Sequence, residues 1–321
     1  MTSSTIKNVA LTAATGDVGS VIFRKLTASG LFNVRILSYS GSTSSFPPGT
    51  DVVKVDFSSV ESLTAALNGQ DAVISAAGNE GLPGQKLLID AAIAAGVKRF
   101  LPSEYGGDLA NHNARTIPPL RYKVETEEYL EIRSAESALL GRFTYTYVYT
   151  SAFLDWGLDI GLIMNINDTV PQAWGSGDLP FNGVVLDSVG DAVVGILKNP
   201  DQTANRPVYI SNGVVTQNKL IQLVSELGLS EKESWKPELA QHHDIEDFAT
   251  KAFKNLEAGV GFDSIGMMPF LVRSCYYPSY NNGKYGQDNT LLGIKKLSDE
   301  ELKQYLKEAI IKLSTNPTQK R

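Results

Sequence analysis

Apolar residues in the first hundred positions form short blocks that alternate with stretches of helical periodicity. The short blocks predict strands, and the stretches between them have apolar side chains every three or four residues, as in amphipathic helices. The predicted strands span residues 9–11, 34–38, 52–55, 72–76 and 99–101, and the predicted helices span 18–29, 60–67 and 85–95. This alternation predicts right-handed βαβ units and a parallel sheet that is covered on both faces.

The second half of the chain has a less regular pattern. Strands are predicted at 143–149 and 208–211, helices at 120–138, 187–197 and 216–227, a loop at 40–49 and a turn at 175–178. A last helix begins at the capping box of Ser298 and Glu301, and Leu302, Leu306, Ala309 and Leu313 form its apolar stripe. The break in rhythm near residue 150 predicts a second, smaller lobe.

A glycine turn joins the first predicted strand to the first predicted helix. Its sequence is Ala13-Ala14-Thr15-Gly16-Asp17-Val18-Gly19. Gly16 would let a pyrophosphate approach the backbone, Gly19 would let the helix pack against the strand, and the helix amides would attract phosphate. Ala13 replaces the usual first glycine, so we expect its φ to be negative. The alternative interpretation is an ordinary strand-to-helix turn.

Composition excludes several classes of function. The 321 residues are 42% hydrophobic with a formal charge of −6, and no basic run precedes Lys320-Arg321, so we expect no nucleic-acid partner. We expect a cytoplasmic protein without a membrane partner, because no secretory signal or long apolar stretch is present. The single cysteine, Cys275, excludes an intrachain disulfide and is expected to be inert. We predict no metal site, although His242-His243-Asp244 resembles one superficially.

One long segment resembles a known family. It runs from Gln85-Lys86-Leu87-Leu88-Ile89-Asp90-Ala91-Ala92 through Ala95-Gly96-Val97-Lys98-Arg99-Phe100-Leu101-Pro102-Ser103-Glu104-Tyr105-Gly106. It is similar to the signature of the NmrA-like and isoflavone-reductase-like family of atypical short-chain dehydrogenases, and residues 145–153 and 205–211 resemble fungal members. The resemblance implies a nicotinamide cofactor and a lysine in place of the tyrosine of ordinary short-chain dehydrogenases.

The lysine at the matching position is Lys123. Its ammonium group would stabilise negative charge on a substrate oxygen or donate a proton to it, and burial readily lowers a lysine pKa. The alternative is a solvated helical lysine paired with Glu127 four residues later. The Tyr-x-x-x-Lys spacing at Tyr280 and Lys284 is rejected as a second candidate, because the intervening Asn-Asn-Gly predicts a turn.

These observations together predict the fold and the division of the chain into two domains. We expect a Rossmann-type doubly wound parallel sheet of the α/β class, with a smaller discontinuous C-terminal substrate lobe. The NAD(P)-binding domain would comprise residues 1–155 and about 182–212, and the substrate lobe about 156–181 and 213–321.

The predicted cofactor contacts follow the strand ends. They are Ala13, Thr15, Gly16, Asp17, Val18, Gly19, Ser38, Tyr39, Ser40, Ala76, Ala77, Gly78, Gln85, Pro102, Ser103, Glu104, Lys123, Thr150, Ser151 and Phe153. Glu104 has a structural alternative, in which it accepts backbone hydrogen bonds. Tyr39 occupies the position where NADP-using members of the family commonly have arginine, and no acidic residue replaces it. The resemblance to the family favours NADP as the cofactor, and NAD is the open alternative.

Large apolar residues of the later chain would suit an aromatic or conjugated substrate. They are Trp156, Trp174, Phe181, Phe262, Met267, Met268, Phe270, Tyr276 and Tyr277, although such residues more often form core. His112 is a candidate second proton donor or an exposed loop residue. The favoured function is an NAD(P)H-dependent reductase that is a monomer or homodimer. The alternatives are a non-catalytic dinucleotide-sensing regulator and a cofactor-bound enzyme of non-redox rearrangement.

Overall fold

The computed structural model describes residues 5–138, 143–258, 264–280 and 282–315, with backbone alone at 138, 264–267 and 313–315. Its strands are β1 Asn8–Thr12, β2 Asn33–Tyr39, β3 Asp51–Val55, β4 Ala72–Ile74, β5 Arg99–Leu101, β6 Thr144–Tyr149, β7 Ala152–Phe153, β8 Gln172–Trp174, β9 Phe181–Val184, β10 Arg206–Tyr209, β11 Gly213–Val215 and β12 Gln241–His243. Its helices are α1 Asp17–Ser29, α2 Val60–Leu67, α3 Gln85–Ala94, α4 His112–Arg115, α5 Arg121–Ala138, α6 Leu154–Asp159, α7 Leu186–Lys198, α8 Gln217–Glu226, α9 Ile245–Glu257, α10 Ser264–Tyr276, α11 Asn289–Leu292 and α12 Asp299–Thr315.

The main sheet has the predicted Rossmann-type arrangement. Within the described ranges it contains seven strands in the order β3-β2-β1-β4-β5-β6-β10, and every neighbouring pair is parallel. The strand order reverses between β1 and β4, because β2 and β3 extend to one side of β1 and the later strands to the other. In open α/β sheets a ligand crevice forms at this reversal, beyond the carboxyl ends of the strands.

Both faces of the sheet are buried by helices. Leu63 of α2 and Ile89 of α3 belong to the apolar cluster on one face, and Ile22 and Leu26 of α1 pack with Val189 of α7 in the cluster on the other. The central strands β1 and β4 are therefore nearly continuous in apolar residues, as the sequence predicted for a sheet covered on both sides.

Most predicted elements are confirmed, with shifts at their ends. The strand predicted at 72–76 ends at residue 74, and the strand predicted at 208–211 spans Arg206–Tyr209. The long helix begins at Arg121 after a 3₁₀ turn at Pro118–Leu120. The capping box of α12 is confirmed, because the carboxylate of Glu301 accepts the Ser298 N–H at 2.8 Å. The side chain of Leu313, in the predicted apolar stripe, lies outside the described residues.

The later chain builds two small sheets and a third apolar cluster. Strand β9 pairs with both β7 and β11, and β8 pairs with β12. The cluster includes the fully buried Trp235 and residues of α8 and α12. Strand β10 joins the main sheet, whereas β9 does not. Strand β7 lies in the predicted NAD(P)-binding domain and β11 in the predicted substrate lobe, so the small sheet combines strands from both. The division into domains stays a prediction. Among the described helices, none has the length and apolar character needed to cross a membrane.

Candidate functional site

Two neighbouring cavities lie at the carboxyl ends of the central strands. The β2 cavity has a volume of about 680 Å³ and lies among the ends of β1, β2 and β4 and the start of α3. The Lys123 cavity has a volume of about 420 Å³ and lies between the glycine turn and α5. Ala13, Ala77 and Gly78 line both cavities. The two cavities therefore meet at the reversal of strand order, where the fold places a ligand crevice.

The two glycines of the turn have different structural roles. A Cβ atom added to Gly19 would lie 2.1 Å from the carbonyl oxygen of Ala13, so the close approach of α1 to the turn requires glycine there. A Cβ atom added to Gly16 would lie 3.5 Å from the same oxygen, which is an ordinary contact. Packing does not require Gly16, which lines the Lys123 cavity and gives the first turn of α1 no side-chain cap. The N-terminus of α1 therefore suits an anion.

Ala13 does not have the expected backbone conformation. Its φ is +52°, in the left-handed region that a side chain disfavours, so the expectation of a negative φ is wrong. The turn explains the difference, because the Ala13 carbonyl accepts the Gly16 N–H at 3.0 Å and also faces Gly19. The conformation that a first glycine usually provides is thus present, although alanine has to adopt it.

Several buried polar atoms beside the β2 cavity have no partner among the described residues. They are Thr12 Oγ1 at the end of β1, Ser75 Oγ just after β4 and Gln85 Nε2 at the start of α3. Buried polar groups are normally hydrogen-bonded, so unpaired ones beside a cavity suit a polar ligand. These donors and acceptors, together with the uncapped α1, fit the ribose and phosphate groups of a dinucleotide.

Lys54 is a cation near the β2 cavity that no sequence motif indicates. Its Nζ donates to Ser38 Oγ at 3.2 Å and to the Ser42 carbonyl at 2.7 Å. Both serines line the cavity. Tyr39, which replaces the arginine common in the family, is 59% exposed at the end of β2.

Lys123 lies on α5 and points towards the turn that follows β5. Its Nζ donates to the carbonyl oxygen of Glu104, and the half-buried side chain lines the Lys123 cavity. Glu127 instead binds Arg115 Nη1 at 3.0 Å and the hydroxyl of Tyr149 at 2.6 Å. The alternative of a solvated Lys123–Glu127 pair is therefore wrong.

Burial shifts the pKa values of this group of charges. Removal from water lowers the pKa of Lys123, although the carboxylates of Glu104 and Glu127 oppose the shift. Burial also raises the pKa of Glu104 well above its usual value, and the charge of Glu127 adds to this. The pKa of Glu127 is raised to about 7 by burial, while its bonds to Tyr149 and Arg115 work against it. A lysine whose pKa is lowered transfers a proton more readily near neutral pH.

Comparison with known proteins identifies the family. The model of the NmrA-like family matches residues 5–233. The chain belongs to the NmrA-like family. It is 30% identical to oxidoreductase poxI of Penicillium oxalicum over 302 residues, covering 90% of each chain, and 34% identical to oxidoreductase aprR of Aspergillus flavus over 221 residues, covering 68% and 72%. The solved structure of AtPrR2 with NADP⁺ and (+)-pinoresinol has a TM-score of 0.73 at 23% identity, over 94% of this chain and 99% of that one.

Most cofactor contacts predicted for this NmrA-like protein line one of the two cavities. They are Ala13, Thr15, Gly16, Asp17, Val18, Ser38, Tyr39, Ala76, Ala77, Gly78, Gln85, Ser103, Lys123, Ser151 and Phe153. Five others do not line either cavity, namely Gly19, Ser40, Pro102, Glu104 and Thr150. Ser40 is exposed, whereas the other four are buried, and Glu104 Oε1 has no partner among the described residues. The individual roles of all these residues stay predictions.

The predicted substrate residues divide between cavity and core. Trp156 lines the Lys123 cavity, and its Nε1 donates to Asp17 Oδ2 at 3.1 Å. Phe181, Phe270 and Tyr276 are buried core residues, Met268 and Tyr277 pack against the core, and Trp174 lines a separate cavity with His242 and His243. Phe262 and the side chain of Met267 lie outside the described residues.

The structure also places the histidine, cysteine, Tyr280-motif and metal-site candidates of the sequence. His112 is exposed on α4 and does not line either cavity. Cys275 lines the Lys123 cavity, but burial raises the pKa of its thiol to about 12, so it stays protonated. Gly283 has a φ of +68°, which supports the predicted turn at the Tyr280 motif, although Asn281 lies outside the described residues. Within the described ranges, no group of three or more histidine, cysteine or acidic side chains is placed to hold a metal ion.

Proposed function

We propose that this protein is an NADP(H)-dependent reductase of an aromatic or conjugated small molecule. The observation that carries the proposal is that Lys123 and the glycine turn line the same cavity. Phosphates held at the N-terminus of α1 would orient the rest of a dinucleotide along the crevice, towards the ammonium group. One cavity would then contain both the reacting end of the cofactor and a proton donor.

The two cavities suit the two halves of the cofactor. The β2 cavity has Thr12, Ser75 and Gln85 available for ribose and phosphate oxygens, and Ser38 and Tyr39 lie at its far end. Small residues, Ala76 to Gly78, separate it from the Lys123 cavity, and they leave room for a ribose. When bound, the cofactor supplies the hydride.

Lys123 would act on the oxygen of the substrate. Hydride addition to a carbonyl or conjugated carbon leaves negative charge on oxygen, which a nearby ammonium group stabilises and protonates. The bond from Nζ to the Glu104 carbonyl fixes the direction of the side chain. Burial lowers the pKa of Lys123, which favours transfer of the proton.

The lining of the Lys123 cavity supports a flat, apolar substrate. Phe153 and Trp156 contact each other edge to face, with ring centroids 6.1 Å apart, and Leu162 and Leu271 provide further apolar surface. Such surfaces favour aromatic or conjugated molecules. The relatives poxI and aprR are oxidoreductases, and the AtPrR2 structure contains NADP⁺, which supports a redox enzyme.

The substitution Lys123→Met tests the proposal. NADPH consumption is measured at the nicotinamide absorbance band with a panel of quinones, enones and aromatic ketones, and NADPH affinity is measured by calorimetry. We expect turnover to fall by about 100-fold or more, since general acid catalysis contributes at least this much, while NADPH still binds. Lys86→Met is the matched control, because Lys86 pairs with Glu125 and does not line either cavity.

The same assay separates the alternatives. Unchanged turnover in Lys123→Met would reject the role of Lys123, and absence of binding by any oxidised or reduced coenzyme would reject the whole proposal. A product of the same mass as its substrate, without NADPH consumption, would indicate the non-redox enzyme. NADPH binding with no substrate consumed would indicate the regulator. Cytoplasmic location and a monomeric or homodimeric state are further parts of the proposal.

A further inference from the structure

The residues at the end of β2 include no cation that could bind the extra phosphate of NADP. NADP differs from NAD by a phosphate on the adenosine ribose, and dinucleotide-binding folds commonly place an arginine beside it. Here the end of β2 has Ser38, Tyr39 and Ser40, which are uncharged. Hydroxyl groups bind phosphate without neutralising it, so the sequence motif alone explains no preference for NADP.

The neighbouring strand brings a cation to the same place. Lys54 of β3 is the register partner of Ser38 of β2, and register partners of parallel strands project from the same face. The Lys54 Nζ lies 3.2 Å from Ser38 Oγ and 2.7 Å from the carbonyl oxygen of Ser42. Ser38 and Ser42 both line the β2 cavity, so the ammonium group lies at its edge.

The bonds of Lys54 leave it able to bind an anion. An ammonium group has three N–H donors, and Ser38 and Ser42 accept two of them. Among the described residues, no carboxylate forms an ion pair with Lys54, whereas Arg35 on the adjacent β2 is paired with Asp51 at 2.9 Å. The side chain is also exposed, so a third donor and an unneutralised charge face the solvent at the cavity edge.

We propose that Lys54 binds the 2′-phosphate of NADP, and that it replaces from β3 the arginine that is missing after β2. The Ser38 and Ser42 contacts fix the ammonium group at the β2 cavity, and the hydroxyls beside it provide further donors to the phosphate. This inference rests on the proposed function, because it assumes that the dinucleotide occupies the β2 cavity. It makes Lys54 a determinant of NADP over NAD.

The alternative is that Lys54 only supports the turn after β2. Ser42 N–H donates to the Tyr39 carbonyl at 2.9 Å to close this turn, and Lys54 holds the Ser42 carbonyl. A support of the turn would affect NADP and NAD equally, since both would use the same ribose pocket. A phosphate contact would affect only ligands that carry the 2′-phosphate, so the two roles are separable.

The experiment measures binding of four probes by calorimetry, namely NADP⁺, NAD⁺, 2′,5′-ADP and 5′-AMP. Lys54→Gln removes the charge but keeps a hydrogen-bond donor near Ser38. Lys54→Arg keeps the charge. Lys7→Gln is the matched control, because Lys7 also donates to a backbone carbonyl, that of Leu31 at 2.7 Å, but precedes β1 at the opposite end of the sheet.

We expect Lys54→Gln to weaken the binding of NADP⁺ and 2′,5′-ADP by about tenfold or more, since one charge-assisted bond is lost. The affinities for NAD⁺ and 5′-AMP should be nearly unchanged. Lys54→Arg and Lys7→Gln should bind as the wild type does. As a second measurement, added salt should reduce the NADP⁺ to NAD⁺ affinity ratio of the wild type, and this dependence requires no variant.

Three results would overturn the inference about Lys54. One is an equal loss of NADP⁺ and NAD⁺ affinity in Lys54→Gln, and another is an NADP⁺ affinity of that variant equal to that of the wild type. A wild-type protein that prefers NADP⁺ with no dependence on salt would also contradict it. A wild-type protein that binds none of the four probes would instead reject the proposed function, on which the inference depends.

Discussion

Ala13 carries backbone strain at the centre of the glycine turn. Its φ of +52° costs an L-residue about 1–2 kcal/mol, and glycine avoids this cost. Glycine also increases the entropy of the unfolded chain, which offsets about 0.4–1 kcal/mol of the gain. We therefore expect Ala13→Gly to raise the free energy of unfolding by about 0.5–1 kcal/mol in urea titrations, without loss of NADP⁺ binding.

Gly19→Ala is the contrasting substitution in the same turn. Its added Cβ atom would lie 2.1 Å from the Ala13 carbonyl oxygen, a backbone atom that cannot move aside alone. We expect the free energy of unfolding to fall by about 3 kcal/mol or more in the same titration, because such overpacking shifts the backbone. A destabilised Ala13→Gly, or a Gly19→Ala as stable as the wild type, would contradict this account of the turn.

Single residues were predictable where a sequence motif carries them. Lys123 and the glycine turn were found by family resemblance and by the strand–turn–helix context, and the cavities include both. Lys54 was missed because its position depends on strand register, which places it beside Ser38 sixteen residues away in the chain. The φ of Ala13 was also missed, since a sequence shows the residue type but not the backbone angle that its neighbours impose.

At the scale of elements, helix α5 and strand β6 enclose a buried charge. Burial raises the pKa of Glu127 to about 7, above the value of 4.5 for an unperturbed glutamate. The folded state therefore binds the proton of Glu127 more tightly than the unfolded state does. The stability that this proton contributes is complete below about pH 4.5. It is lost as the pH rises to about 7, by up to about 3 kcal/mol.

Glu127→Gln should remove this dependence. We expect the urea midpoint of the variant to fall less than that of the wild type between pH 5 and pH 8, because this range includes the raised pKa of Glu127. Glu128→Gln is the matched control, because Glu128 binds the same Arg115, at 2.8 Å, but is exposed. Parallel pH profiles of the wild type and Glu127→Gln would show that the charge of Glu127 does not cause the loss.

Elements of the main sheet were predictable because their periodicity is strong. Strands β1 to β6 and helices α1 to α3 have apolar patterns that burial on both faces demands. The small sheet of β7, β9 and β11 was not predicted, since its strands contain two to four residues and have no readable period. Partners distant in the chain stabilise such short strands, and a local pattern does not show those partners.

On the scale of the whole molecule, the glycine turn contacts the later chain. Trp156, which follows β7, donates to Asp17 at the start of α1 across the Lys123 cavity. Arg206 of β10 pairs with Asp288 at 2.8 Å, and Asp288 also accepts the Tyr209 N–H at 2.9 Å. A ligand bound at the turn would therefore contact a site that both halves of the chain build, and its binding should stabilise the whole fold.

Binding of NADP⁺ should stabilise the folded protein against urea. A ligand that binds only the folded state raises the free energy of unfolding by about 2.7 kcal/mol at 100 times its dissociation constant. We expect NADP⁺ to stabilise the wild type by this amount. Gly16→Ala should change the stability of the ligand-free protein by less than about 1 kcal/mol, because Gly16 has a φ of −75° and space for a Cβ atom.

The same NADP⁺ concentration should stabilise Gly16→Ala by less than about 1 kcal/mol, since the added methyl group occupies the space that a pyrophosphate needs. Urea unfolding with and without NADP⁺ measures both quantities on the same samples. A Gly16→Ala protein that gains as much from NADP⁺ as the wild type would show that the phosphates bind elsewhere. The two glycines of the turn thus have different roles, because helix packing requires Gly19 and phosphate binding would require Gly16.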